Sequence, residues 1–538
     1  MKKSASGSRG ARSSSALVLD GGGLSIDEVV SVARHGRHVR IGAKAARLMK
    51  ASRAVVDRAI KSGEALYGIN TGFGSLSKQR ISDGDLAHLQ RNLVRSHAAG
   101  VGEPLPTDVV RGMMLLLAAS LSRGLSGVRP VVAETIASML NAGITPVVPS
   151  IGSVGASGDL APLAHVALVA LGEGAATIHR TASVSERPAS RPIPGGAALR
   201  KAGITPLTLG AKEGLALING THLMAAQGTL LASDFQRLVG AAERAVALSI
   251  DACRATSAFL DDRLYVARAQ LEPRGSAESI LRALEGSAVL RSHVENDPRV
   301  QDPYSLRAAP TVLGACQAAA FALEFAVEAE LRAVTDNPLV FPRGRYRSAI
   351  LEDVRSPTSA IISGANFHGA PLALPLDYLS IALCHLAGIS ERRIYLMTGA
   401  FEPESHLKPF LAPRPGLQSG LMIAQYTAAA CVNEMVGLAA PASVANIPTS
   451  AGMEDYNSFG PRAAAKARRA LELAEHVVAI EFLCAAQGLE AHRPLRSGKG
   501  VEAAHRAIRS VVPTLTEDRP LTRDIEAIVQ LIRDGSLA

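Results

Sequence analysis

The sequence is short of aromatics, of paired cysteines, of alternating apolar runs and of long unbroken apolar runs, and each shortage removes a class of protein. Aromatic residues amount to 4%, and no basic stripe is interleaved with them, so the positive face with stacking rings that holds nucleic acid is missing. The formal charge of +9 is local: Lys2, Lys3, Arg9 and Arg12 lie in the N-terminal tail, and Arg343, Arg345 and Arg347 in one expected surface loop. The five cysteines, Cys253, Cys316, Cys384, Cys431 and Cys484, stand far apart and form no ligand-like pairs. They read as reduced core thiols of a cytoplasmic protein, with no metal site. No apolar run approaches the roughly 20 residues that span a bilayer. The opening MKKSASGSRGARSSS lacks the apolar segment of a secretory signal, and residues 1–16 are expected to be a disordered basic tail.

What remains is a chain rich in alanine and leucine, 47% hydrophobic and 20% charged, the balance of a folded protein with a large core. Proline and glycine breaks are widely spaced, and a long proline-free stretch runs from Leu207 to Glu272. Within it SDFQRLVGAAERAVALSIDACRATSAFL opens on Ser233, a residue type that caps helices, and its apolar positions recur at helical spacing. TVLGACQAAAFALEFAVEAELRAV, LDYLSIALCHLAGISERRIYLM and AAAKARRALELAEHVVAIEFLCAAQGLEA repeat the pattern. Helices apolar over so much of their circumference must pack on several neighbours. The expectation is a mainly α fold, a bundle of long helices preceded by a mixed N-terminal domain. Boundaries are placed at 17–211 for that domain, 212–490 for the bundle and 491–538 for a C-terminal helical segment. RHVRI and SGEALYGI are the few strand candidates. TASVSERPASRPIPGG and FPRGRYRSAILEDVRSPTS read as surface insertions.

One stretch asks for a chemical explanation: GSVGASGDLAPLAH, Gly152 to His165. The tripeptide Ala-Ser-Gly is no signal by itself, since it also occurs at Ala5-Ser6-Gly7 in the tail. A phosphate loop needs Lys-Ser/Thr after its last glycine, and Asp159-Leu160 stands there instead. A nucleophile elbow needs Gly-x-Ser-x-Gly, and here Gly158 follows Ser157 directly. Two readings stay open. One is a structural turn. The other is self-cyclisation, in which the Gly158 nitrogen attacks the Ala156 carbonyl and Ser157 loses water to leave a methylidene electrophile. Only a residue without a side chain lets its nitrogen approach so closely.

Around that loop the chain resembles the aromatic amino acid ammonia-lyases, through YGINTGFG, LQRNLVRSHAAGVGE, SLSRGLSG, GSVGASGDLAPLAH, KEGLALINGT, VQDPYSLR, TDNPLVF, GANFHG, GLMIAQ and SAGMEDYNS in family order. The resemblance runs from about Leu17 to the C-terminus. It implies the helical scaffold of the fumarase/aspartase-like superfamily, with the cofactor loop on the mixed domain. It implies a 5-methylidene-imidazol-4-one made from Ala156, Ser157 and Gly158, and no external cofactor. The family removes ammonia across Cα–Cβ, which requires an electrophile for the amine and a positioned base for the β-proton. Tyr67 matches the base, Arg307 the clamp on the substrate carboxylate, and Tyr304 and Gln301 residues around cofactor and carboxylate. Asn219 matches a polar contact to the cofactor or the amine, and Asn337 and Phe367 match pocket residues, Phe367 also lying against the cofactor. The family's sites are shared between chains of a tetramer, so a homotetramer is implied, with no nucleic-acid or membrane partner.

Two further positions bear on the substrate. His97 and Glu454 match the histidine branch, as does Met422. A carboxylate beside an imidazole makes a charge-assisted hydrogen bond, whereas against a benzene ring it would be a buried charge without a partner. The implied reaction is conversion of L-histidine to trans-urocanate and ammonia. Met453, Tyr456, Ala308, Ala365 and Ala370 depart from the histidine pattern. A tyrosine or phenylalanine ammonia-lyase, or a 2,3-aminomutase on the same cofactor, is the alternative.

Overall fold

The computed structural model describes residues 15–62, 68–71, 81–179, 191–295, 297–342 and 360–538. Tyr67, most of SGEALYGI and most of both expected insertions lie outside these residues. The chain divides into two compact units, one of residues 1–230, 325–374 and 442–462, the other of 231–324, 375–441 and 463–538.

The first unit is mixed. Its strands are short and pair in small sets: Leu17–Leu19 parallel to Val39–Ile41, Val101–Pro104 antiparallel to Pro149–Ile151, a three-stranded set from Ile144–Pro146, Ala175–Ile178 and Ile193–Pro194, and Leu339–Val340 with Ile361–Ile362. The strand expected at RHVRI is there. At the centre is the helix Thr107–Ser122, every residue of which is buried, packed on Ile26–Ala33 and Pro130–Asn141. A helix buried all round must satisfy its polar groups internally. Arg111 does so by donating to the carbonyls of Val32, Ala33 and Leu140, which joins the ends of both neighbouring helices. Burial pulls its guanidinium down to about 10.

The described elements of the second unit are helices. Long helices run over His222–Ala252, Ala309–Glu330, Ala370–Gly399 and Gly460–Leu489, and the division between the units falls within each of them. They cover most of each of the four segments singled out in the sequence by apolar residues at helical spacing, and the mainly α expectation holds. In the second unit Arg393 and Glu481 form a fully buried pair. The Arg393 guanidinium donates to both oxygens of Glu481, and the hydroxyls of Ser249 and Ser390 donate to the same carboxylate. All the lone pairs that burial would otherwise orphan are thereby used.

Two expectations need correction. Ser233 does not open its helix but lies inside it, since the helix begins at His222. The cap comes from elsewhere in the chain, as the next section describes. By length and mean hydropathy, moreover, Ala309–Glu330 and Ala370–Gly399 both reach the dimensions of a membrane span. An average over a helix tolerates scattered charges that interrupt a contiguous run. Core helices have the same property, and 56% of the apolar window of Ala370–Gly399 is buried.

Candidate active site

The Ala156-Ser157-Gly158 segment sits in the turn between the strand Pro149–Ile151 and the helix Leu160–Ala170. Gly155 and Gly158 both adopt a left-handed backbone, φ +70°, which side chains disfavour. Space enforces the same choice. A Cβ on Gly158 would run into the backbone of Gly220, and one on Gly155 into the Ser458 hydroxyl. The turn is held from three sides. The Asp159 amide donates to the Gly220 carbonyl at 2.8 Å. The Phe459 amide donates to the Val154 carbonyl at 2.9 Å, and the Ser458 hydroxyl to the Gly155 carbonyl at 2.9 Å. The Ser153 hydroxyl lies 3.1 Å from both the Gly158 carbonyl and Asp159 Oδ1.

Asp159 is wholly buried, and its second oxygen accepts from the amides of Leu223 at 2.9 Å and Met224 at 3.2 Å. These are free donors in the first turn of the His222–Ala252 helix, so a carboxylate from the loop caps a helix far along the chain. Burial pushes the Asp159 carboxyl up to about 7, against the pull of those amides and of Ser153, and the Glu330 carboxylate adds to the rise.

Asn219 reaches the loop from the opposite side. The helix Glu213–Ile218 that presents it is clamped by the buried Glu213 carboxylate, which accepts from the side chain and amide of Arg129 and from the Gly210 amide. The Asn219 amide group donates to the Ser157 carbonyl at 3.1 Å, while its own buried Oδ1 has no partner. Next to it, His222 packs so closely on Gly220 that a Cβ there would strike the imidazole. Both ring nitrogens of His222 lack hydrogen-bond partners, and burial pulls the imidazole down to about 3, so it is neutral.

The Ser157 hydroxyl donates to Glu454 Oε1 at 2.9 Å. Glu454 is held by a bridge to Thr449, each backbone amide donating to the other's carbonyl, and by the Thr449 hydroxyl, which donates to Oε2 at 3.0 Å. His97 ends the helix Leu86–His97 with Nδ1 on the Leu93 carbonyl at 2.8 Å. That contact assigns the proton to Nδ1 and leaves Nε2 as the acceptor in the neutral ring. Burial holds His97 below the usual imidazole range, while the Leu93 carbonyl and the charge of Glu454 act in the other direction.

The first unit thus brings Ala156, Ser157, Gly158, Asn219 and Glu454 together, with His97 inside the electrostatic reach of Glu454. Asn337 spends its amide on Ser363, at 3.0 Å, and on the Gly364 amide, at 2.8 Å, so its described contacts fix a neighbouring loop. Phe367 is half-buried, beside His368, whose Nε2 lies 3.2 Å from the Tyr456 carbonyl. Gln301, Tyr304, Arg307 and Met422 belong to the second unit. There the Arg307 guanidinium lies 4.6 Å from the centre of the Tyr304 ring, and its Nε donates to the Asp302 carbonyl. Tyr304 is 73% exposed, and Met422 opens the helix Met422–Ala439. Sequence reasoning passed over Ser153, Thr449 and Ser458. Isolated hydroxyls carry no local signal, and only the fold places them on the loop. Asp159, quoted in the motif, had no role until its distant helix end was found.

The residues around Ser157 fit a self-made methylidene-imidazolone. The ring-forming nitrogen belongs to a residue with no room for a Cβ, and an amide with an orphaned oxygen stands beside the central carbonyl. Among the described residues no cluster of His, Cys, Asp or Glu could hold a metal ion.

Residues 24–510 match the model of a family described as aromatic amino acid lyase. The chain is 46% identical over 522 residues to a histidine ammonia-lyase of Anaeromyxobacter dehalogenans, covering 97% of this chain and 99% of that relative. Among solved structures it is similar to the histidine ammonia-lyase of Trypanosoma cruzi, with TM-score 0.86 and 36% identity over 97% of this chain and 94% of the other. In fold it is as close to a tyrosine aminomutase of Streptomyces globisporus, with TM-score 0.87 and 32% identity over 97% of this chain and 98% of the other.

Proposed function

Because the chain belongs to the aromatic amino acid lyase family, we propose that it removes ammonia from L-histidine without oxidation, giving trans-urocanate. The observation that carries the reading is Glu454, a carboxylate fixed at 2.9 Å from the central serine, with His97 near it. An imidazole substrate gives that carboxylate an N–H to accept, a charge-assisted bond. A plain benzene ring gives it nothing, and the desolvated charge would cost several kcal/mol.

Ala156, Ser157 and Gly158 are proposed to form the methylidene-imidazolone, which supplies an electron-poor alkene that takes up the amine. Asn219 holds the central carbonyl of that segment, and Asp159 and Ser458 hold its flanks. Tyr67 is proposed as the base for the β-proton. Its phenol, ordinarily near a pKa of about 10, needs neighbouring donors or positive charge to act at neutral pH. Arg307 is proposed to bind the substrate carboxylate, for which the planar guanidinium is suited. Gln301, Tyr304, Asn337, Phe367 and Met422 are proposed to complete the pocket.

Large apolar side chains stand in solvent on the helices, among them Phe325, Leu374 and Tyr426. Their exposure supports assembly into a homotetramer, with Tyr304 covered by another copy. Light scattering tests that assembly.

The decisive assay offers histidine, tyrosine and phenylalanine separately and follows ultraviolet absorbance, since urocanate, coumarate and cinnamate absorb at different wavelengths. Urocanate alone is expected. The likeness to a tyrosine aminomutase favours one second reading, a tyrosine-specific lyase or mutase. Coumarate or a β-amino acid without urocanate would establish that reading instead.

A further inference from the structure

Asp302, one residue beyond Gln301, is buried, and its carboxylate is spent inside the protein. It accepts from the Thr256 amide at 3.1 and 3.2 Å and from the Thr256 hydroxyl, which pins its segment to the turn after helix His222–Ala252. Arg299 makes a second tie, donating to the carbonyls of Cys253 and Arg254 in the same turn. A third comes from Arg393, which besides binding Glu481 donates to the Ser305 carbonyl at 3.1 Å. What this fixed segment presents is Arg307. The Asp302 carbonyl accepts from its Nε at 3.0 Å, and its guanidinium carbon lies 4.6 Å from the centre of the Tyr304 ring.

A guanidinium grips a carboxylate along one of two edges, Nε with the neighbouring Nη, or the two Nη together. The Asp302 carbonyl closes the first edge of Arg307. The two Nη atoms have no hydrogen-bond partner among the described residues, and the Tyr304 ring on one face limits rotation of the plane. We infer that Asp302 is a positioning residue for the substrate carboxylate, which docks end-on against the two Nη atoms of Arg307. The inference rests on the carboxylate role proposed for Arg307. Asp302 itself touches no substrate. Its side chain acts by holding its own carbonyl still, and the carbonyl holds the guanidinium. Without that anchor Arg307 spreads over several orientations, so ligands that carry a carboxylate bind less tightly and ligands that lack one are held as before.

Steady-state kinetics on histidine and competition by two fragments of it form the test. 3-(Imidazol-4-yl)propanoate keeps the carboxylate and lacks the amine; histamine keeps the amine and lacks the carboxylate. Asp302→Ala is expected to raise KM about tenfold and to change kcat far less, because the weakened contact is made equally in the bound substrate and the transition state. Inhibition by the propanoate should weaken by a similar factor, and inhibition by histamine should stay at the wild-type level. Arg307→Met should show the same pattern more strongly. Adding Asp302→Ala to it should raise KM no further, since a residue that acts through Arg307 has nothing left to act on. Thr256→Val removes one donor and keeps the carboxylate. It should raise KM about threefold, and it answers the question if the alanine variant does not fold. Either variant weakening both fragments alike, leaving KM unchanged, or raising KM as much without Arg307 as with it would overturn the inference and leave the proposed function intact. Arg307→Met with the wild-type KM would instead overturn the carboxylate role of Arg307, and a wild type that converts no histidine would overturn the proposed function.

Discussion

Removing the Asp159 carboxylate should loosen a helix that begins more than sixty residues away in sequence, as a cap supplied across the fold requires. Asp159→Ala strips the acceptor from the amides of Leu223 and Met224, both buried. Each orphaned donor costs about 1–3 kcal/mol, so the loss is about 2–6 kcal/mol, mostly independent of pH. Asp159→Asn separates shape from charge, because its amide oxygen can still accept while the group no longer titrates. The Asp159 carboxyl is raised from 3.8 to about 7, so between those values the folded chain holds a proton that the unfolded chain has released. Wild-type stability therefore falls as pH rises through that window, by as much as about 4 kcal/mol. The asparagine variant lacks that slope. Urea unfolding at pH 4 and pH 8, followed by circular dichroism, reads both effects. The alanine variant should unfold at markedly lower urea at either pH, and the asparagine variant should gain on the wild type as pH rises. An alanine variant with the wild-type midpoint would refute the capping role, and parallel pH profiles for wild type and asparagine would refute the buried titration.

Three other perturbations probe the surroundings. Gly158→Ala puts a Cβ against the Gly220 backbone at a left-handed φ. The backbone penalty alone is about 1–2 kcal/mol, and mass spectrometry should find that the waters lost in self-cyclisation are retained. His222, pulled from 6.5 down to about 3 by burial, acts opposite in sign to Asp159: its contribution is complete above 6.5 and is lost as pH falls toward 3. His222→Gln should flatten the acid limb of a thermal-shift profile by about 5 kcal/mol at most, and an unchanged limb would place acid sensitivity elsewhere. Arg393→Met leaves Glu481 buried and unpaired at a cost of about 3–5 kcal/mol, visible as a lowered melting temperature. Adding Glu481→Leu should recover much of that loss.

The amino-acid order alone determined the long helices, because alanine and leucine favour the helix and apolar stretches of that length are too long for strands. It determined the glycine-rich loop too, since Ala156, Ser157 and Gly158 are contiguous and their oddity is local. Short strands such as Ala175–Ile178, only four residues long, left too little alternation to read. Helix His222–Ala252 was misjudged at its start because a local cap was sought at Ser233, while the acceptor for its first amides is Asp159. Which carboxylate faces Ser157 could not come from spacing either: Asp159 is two residues away and turns aside, and Glu454 arrives from near the other end of the chain. Periodicity reports what a residue's neighbours in sequence bury. Caps and clamps depend on which distant groups share a few ångströms, and only the tertiary structure decides that.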